Sequence, residues 1–296
     1  MSDPRYELVG IEDLVIGGHE ALLGGDLLSP YVWRHEGGYG LLLRAVPESG
    51  EPTGRIWFGR SDDGLRFVMD DAPAIAPSLP HLDVGGCEDP TVIVTDSALV
   101  VFYTGVDDAG RAEMLWASGP NPCSLNKRGV AYSCSRTERN TKEASVLRRQ
   151  DGGWCVFFEY THDDRSCLGF AIGPQPDGPW EEHDDPIAAR PGGWDGHHLS
   201  TGPLLEEGDE VTMFYNGATP DARWAIGWAV FDSADDMRLL YRCDEPLVAP
   251  EPGGDDDRAI AFANSVIEDG DLIRLYLSHD DRTARRATLR RRPAAG

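Results

Sequence analysis

Five times along this chain, two apolar strand-like runs follow one another across a turn, and a shorter run precedes each pair. The middle runs are residues 41–46, 100–103, 155–160, 211–216 and 273–278, and their downstream partners are 55–59, 112–117, 166–172, 224–230 and 284–289. First runs lie upstream at 30–33, 91–94, 144–147, 202–205 and 265–267. β-Branched and aromatic residues dominate these runs, and Gly, Asp and Asn bound them, the pattern of strands and tight turns. The units recur about every 54 to 64 residues, a period that suits four-stranded sheets carrying insertions. Long windows of helical periodicity are absent, apart from a turn near 12–15. Such a chain is expected to be all-β, a five-bladed β-propeller. Linkers at 70–80, 184–193 and 245–257 carry Pro, Gly and charge, and no composition break marks a second domain. Residues 1–296 are therefore read as one propeller domain.

The clearest copy of the unit spans residues 85–105 and contains Glu88-Asp89-Pro90 before a strand. Proline disfavours the helical region for the residue before it, so Asp89 is expected in extended backbone at a strand entrance. In a propeller the first strand of each blade lines the central channel, so the polar residues opening those strands converge at one mouth. Here these are Ser29, Glu88 with Asp89, residues 140–143 and 197–201, and Asn264. A wider ring is expected from the ends of the middle strands: Arg44, Thr104, Glu159, Asn216 and Asp280. Each alone reads equally well as a solvated turn residue. Together they point to a polar pocket, since an unpaired charge is costly to bury at the end of an apolar strand.

Composition narrows the partners. A net charge of −24 argues against nucleic acid and anionic membranes. No apolar run reaches membrane-spanning length. The first residues show neither a basic n-region nor an apolar h-region, so no secretory signal is read. The six cysteines lack CxxC spacing and are expected as free thiols in a cytoplasmic protein. His197 and His198 would face opposite sides of a strand and are not expected to share a metal ion. The acidic runs 162–164 and 255–257 lack EF-hand spacing and read as solvated turns. With no Gly-rich phosphate loop between a strand and a helix, neither a metal nor a cofactor is expected. Trp57, Trp116, Trp194, Trp224 and Trp228 are read mainly as packing residues, with one of them placed at the mouth against a sugar face.

Several segments carry a family resemblance: Leu-Leu-Leu-Arg-Ala (41–45), Arg-Ser-Asp-Asp-Gly (60–64), Gly-Cys-Glu-Asp-Pro (86–90) and Phe-Tyr-Thr-Gly (102–105). Trp-Ala-Ile-Gly-Trp-Ala-Val-Phe-Asp (224–232), Asp-Glu-Pro-Leu-Val-Ala-Pro-Glu (244–251) and Asn-Ser-Val-Ile-Glu-Asp-Gly-Asp (264–271) complete it. In their order and spacing the chain resembles glycoside hydrolase family 130, mannoside phosphorylases and mannosidases built as five-bladed propellers. The resemblance implies a small carbohydrate substrate. It makes Asp89 similar to the family's general acid, protonating the glycosidic oxygen directly or through a sugar hydroxyl. Arg44, Arg139, Asn140 and Asp280 look like residues that hold the sugar before the scissile bond, and Ser29 stands where the family often has Asn.

The chain departs from the phosphorylase pattern where phosphate would bind. Thr91 replaces the Arg that follows Glu-Asp-Pro, and His198, Asn216 and Glu159 fall near positions that are basic in the phosphorylases. A phosphate dianion needs fixed cationic donors, and a carboxylate beside it repels it. The expectation is therefore an inverting β-mannoside hydrolase with Asp89 as acid and Glu159 as base, Glu143 and Glu88 being rival bases. His198 and Asn216 are counted as substrate-binding. One alternative is a phosphorylase whose phosphate site is rebuilt from Arg136, Arg139, Lys142 and His198. The other is a sugar-binding propeller without catalysis.

Overall fold

A computed structural model describes residues 5–292 apart from 23, 81, 138–139, 150 and 251–258. The chain folds into five β-blades arranged as a propeller, antiparallel apart from the short strand Val15–Gly17 that runs parallel to Arg66–Ile75, with one short 3₁₀ turn (Glu20–Leu22) among the described residues. The innermost strands are Asp26–His35, Gly86–Val94, Thr141–Arg148, the pair His198–Ser200 and Leu204–Glu207, and Ala261–Asp269. Each pairs with a middle strand almost wholly buried: Gly38–Val46, Leu99–Val106, Trp154–His162, the pair Glu210–Met213 and Asn216–Ala218, and Leu272–His279.

The core is divided among the gaps between neighbouring blades. Phe102, Phe158 and Trp154 fill the second gap; Trp33, Phe58 and Tyr103 fill the first. Leu43, Phe67 and Tyr276 join the first blade to the fifth. The fourth blade is split crosswise into two small sheets. Its inner strand breaks at residues 201–203, where Pro203 has no N–H to offer and Gly202 lies against the chain opposite. A Cβ on Gly202 would stand 1.7 Å from the Phe214 carbonyl oxygen, so no other residue fits there.

Ring closure corrects one expectation. Residues 6–13 form a strand, and no helical turn forms near 12–15. Tyr6–Asp13 is the outer strand of the last blade, antiparallel to Thr283–Arg291, so the two ends of the chain share one sheet. Glu12 and Asp13 bond Arg286 (2.9 Å) and Arg285 (2.7 Å), while the buried Tyr6 ring packs on Phe214 and Trp228 of the fourth blade. Extended pairing satisfies every second backbone group of this segment, which a lone helical turn would not.

A belt of hydrogen bonds runs around the axis from each inner strand to the next. Tyr31 Oη donates to the Val92 carbonyl (3.1 Å), Thr91 Oγ1 to that of Ala144 (2.5 Å) and Ser145 Oγ to that of Gly202 (2.7 Å). Ser265 Oγ donates to the Pro30 carbonyl (2.8 Å) and completes the circle from the fifth blade to the first. The fourth blade has Pro203 where a hydroxyl would serve, and Asn216 takes over. Its amide donates to the Thr201 and Ala263 carbonyls, and its Oδ1 accepts from Ala263 N–H (2.7 Å). Fully buried and fully used, Asn216 is an interblade pin. It does not face the mouth of the propeller, contrary to the expectation that it binds substrate. Asn216→Ala would strand two carbonyls and one N–H, each costing about 1–3 kcal/mol, so a loss of about 3 kcal/mol or more is expected. Urea denaturation monitored by tryptophan fluorescence measures it.

Candidate active site

Three of the inner strands carry a bulge where two consecutive residues have no partner opposite, and the bulge aims a side chain. Pairing jumps from Leu28 to Tyr31, from Glu88 to Thr91 and from Lys142 to Ser145. The first extra residue in each, Ser29, Asp89 and Glu143, adopts left-handed backbone with φ of 48°, 47° and 55°. Asp89 therefore sits inside its strand in a strained conformation, not extended at a strand entrance: the bulge overrides the preference set by Pro90. Such conformations persist where surrounding contacts over-determine them. Contacts of that kind hold Glu143, whose N–H bonds Thr104 Oγ1 (3.3 Å) in the second blade and whose carbonyl accepts from Thr201 in the fourth.

These side chains open onto a funnel of about 190 Å³ on the propeller axis, lined also by Arg44, Glu88, Lys142 and Glu159. Arg44 Nη2 bonds Glu88 Oε1 (2.7 Å), its Nη1 lies 3.7 Å from Asp89 Oδ1, and its Nε donates to the Thr53 carbonyl. Ser29 Oγ donates to Asp89 Oδ1 (2.7 Å). Lys142 Nζ lies 3.4 Å from Glu159 Oε1, which also accepts from Ser166 Oγ (2.8 Å). Trp224, Phe262, Ile260 and Leu28 supply an apolar wall. One wall of carboxylates and one of apolar rings suits a pyranose, which has polar edges and an apolar face.

Electrostatics separate the acids. Burial pushes the Glu143 carboxyl well above the ordinary carboxylate range; nearby Asp89 and Glu159 push the same way, while Lys142 and Arg44 oppose them. Burial also raises Glu88, with Arg44 pulling it back down. Lys142 is raised, chiefly by Glu159, and stays charged. The funnel thus offers a buried carboxyl that holds its proton more tightly than an ordinary carboxylate does, the direction an acid catalyst needs.

The structure brings Ser29, Arg44, Asp89 and Glu159 to this funnel, and leaves other expected residues outside its wall. His198 stands behind it: Nδ1 accepts from Ser166 N–H (3.1 Å), the ring stacks on Trp224, and burial lowers its pKa. It supports two lining residues without lining the funnel itself. Asn140 turns its amide to Thr161 Oγ1 (3.2 Å). Asp280 caps Ile260 N–H (3.2 Å) and faces His279, and Asp281 lines the funnel in its place. Strand register explains the slip. Arg44, Thr104, Glu159 and Asn216 stand opposite Leu28, Glu88, Lys142 and Ser200, and the matching residue of the fifth blade is Ser278, opposite Phe262. Arg139 and the run 255–257 lie outside the described residues.

Ser166, Ser278 and Phe262 escaped the sequence reading. Ser278 emerges only once the register of the fifth blade is known, and Ser166 follows a hairpin and carries no signal of its own. Arg136, proposed as part of a phosphate site, instead bonds Asp185 (2.7 Å) and lies over the Tyr160 ring. Cys87 is buried with Asp83 behind it, which pushes its thiol up, and all six cysteines are free. Among the described residues no cluster of three His, Cys, Asp or Glu is placed to hold a metal ion, and no helix is long and apolar enough to cross a membrane.

A family model described as beta-1,4-mannooligosaccharide phosphorylase, of glycoside hydrolase family 130, matches residues 46–276. Among curated proteins, a 1,2-beta-oligomannan phosphorylase from a Thermoanaerobacter species is 22% identical over 207 residues, covering 69% of this chain and 67% of that protein. A beta-1,2-mannobiose phosphorylase from Listeria innocua is 24% identical over 230 residues, covering 75% of this chain but 62% of the relative, so the chain spans less than two thirds of its length. The solved structure of a Listeria innocua beta-1,2-mannobiose phosphorylase with beta-1,2-mannobiose superposes with a TM-score of 0.76 at 17% identity, covering 95% and 91% of the two chains. A second structure has a TM-score of 0.76 at 21% identity, covering 92% and 86%. It was reported with the finding that this family of mannoside phosphorylases contains hydrolases targeting beta-1,2 mannosidic linkages in Candida mannan. At these identities the structural likeness is one of fold.

The raised Glu143 has a consequence for stability. A carboxyl with a folded-state pKa above its unfolded value stabilises the fold while protonated and loses that contribution as pH rises toward the folded value. Glu143→Gln abolishes the loss. Its thermal midpoint is expected to exceed that of the parent by a margin that grows as pH rises above the ordinary carboxylate range, and calorimetric melts across a pH series measure it.

Proposed function

Because the chain belongs to glycoside hydrolase family 130, we propose that it works as one catalytic propeller whose axial funnel cleaves a β-mannoside with inversion. Asp89 protonates the leaving oxygen, Ser29 and Arg44 orient Asp89, and the apolar wall around Trp224 carries the sugar ring. Glu159, on the neighbouring blade, activates the incoming nucleophile. An inverting reaction needs this division: an acid at the leaving group and a base across the sugar, far enough apart to admit the nucleophile.

Water is the acceptor that the geometry supports best, and one observation carries this reading. Both cations lining the funnel among the described residues already face carboxylates: Arg44 is engaged by Glu88 and Asp89, and Lys142 by Glu159. A phosphate dianion entering here would have to displace those carboxylates and then sit beside them.

The second reading is phosphorolysis, and the kinship favours it over hydrolysis: the matching family model and the curated relatives are all described as phosphorylases. Under that reading Lys142 leaves Glu159 to hold the phosphate, and the product is a sugar 1-phosphate. Incubation with β-1,2-mannobiose in phosphate-free buffer and in buffer with phosphate separates the two. Hydrolysis yields free mannose alone at a rate independent of phosphate; mannose 1-phosphate formed only with phosphate establishes phosphorolysis. Asp89→Asn is expected to lower turnover about a hundredfold or more in either case, and Glu159→Gln to do so if water is the acceptor. A sugar-binding propeller without catalysis would show no turnover to lose.

A further inference from the structure

We propose that Glu143 is a second member of the acid, and that Asp89 and Glu143 hold one proton between them across a water-sized cavity on the propeller axis. The inference rests on the reading of Asp89 as the acid. Glu143 and Asp89 occupy the same bulge position in adjacent blades, both with left-handed backbone, and both line the funnel. Both also line a smaller cavity of about 10 Å³ beneath it, walled further by Thr91, Thr201 and Asn264. That volume is close to the space one water occupies, and its polar walls suit one.

The charges around the pair leave it a proton. Glu143 is faced by Asp89 and Glu88 from the second blade, Arg44 from the first, Lys142 and Glu159 from its own, and Asp281 from the fifth; His198 of the fourth stands one layer back. Arg44 is taken by Glu88 and Asp89, and Lys142 by Glu159. Among the described residues the Glu143 carboxyl makes no hydrogen bond or ion pair, while its backbone is fixed from the blades on both sides. Two carboxyls that line one cavity, with both nearby cations already engaged by other carboxylates, can hold one proton as a unit. During cleavage the C1–oxygen bond breaks and the shared proton passes through Asp89 to the leaving oxygen. The nucleophile adds to C1, and a water nucleophile gives its proton to Glu159. After the products leave, Glu159 releases the proton it took from water to solvent and the doubly charged pair regains one from solvent, which restores the starting state.

The pH profile of kcat/KM tests this. With mannobiose, whose leaving sugar needs a proton, the alkaline limb reports loss of the shared proton. Glu143→Gln removes the second carboxyl of the pair, and with it the like charge that would hold the shared proton to higher pH. The limb is expected to move down by at least one pH unit, about tenfold in rate at a fixed pH on that limb. An aryl mannoside whose phenolate leaves unprotonated should keep its rate. An unmoved limb with mannobiose overturns the proposal. A second measurement needs no turnover: the infrared carbonyl band of the protonated carboxyl, followed against pH in the parent and in Asp89→Asn. Loss of the band at lower pH in the variant supports the pair, and identical titration overturns it. A protein that turned over no mannoside yet showed this coupled titration would refute only the functional reading.

Discussion

Wherever an inner strand bulges or breaks, a backbone carbonyl turns away from its own blade, and the propeller depends on where that carbonyl finds a donor. Each buried carbonyl needs one, and here the donor comes from the neighbouring blade. The hydroxyls of Thr91, Ser145 and Ser265 and the amide of Asn216 sit just past the irregularity or directly opposite it. One geometric device therefore binds the blades into a ring and turns Ser29, Asp89 and Glu143 out of the pleat toward the axis. Strain at these residues is held in place by the belt that the bulges create.

The funnel that results carries more negative charge than positive. Among the described residues several carboxylates share two cations, and Arg44 and Lys142 already face particular partners. The surplus appears as raised carboxyl pKa values at Glu88 and Glu143, the cost of burying acids without enough countercharge. Groups perturbed in this way by burial and like charge cluster at functional sites. The same charge balance makes the acceptor question physical. A funnel whose cations are neutralised has little to offer a dianion, yet the family to which the chain belongs is described by phosphorolysis.

Much of the fold was legible because strand repetition is a local property. The middle strands are apolar on both faces, and their turns carry Gly and Asp, so five units stand out without any knowledge of contacts. The outer strand Tyr6–Asp13 did not stand out, because its partner lies at the far end of the chain and its own residues are mostly exposed. At the funnel, Asp89 and Arg44 were reached through the motifs around them. Asn216 and His198 lie outside its wall, which the chain alone does not show, because a buried amide and a buried imidazole look the same in a sequence whether they line a cavity or bond the protein's own backbone. Asp280 lies outside it because the register in the fifth blade brings Ser278 to the ring.

The sequence by itself determined the number of blades, the all-β character and the identity of the inner and middle strands, since hydrophobic runs and turn residues act over a few positions. Tertiary structure decided which polar residues meet. A bulge shifts register by a residue and reverses which face a side chain occupies, and no local signal in the chain announces it. Tertiary structure also raised the pKa of the Glu143 carboxyl, because burial and the charges of Asp89, Lys142 and Glu159 act through space and not along the chain.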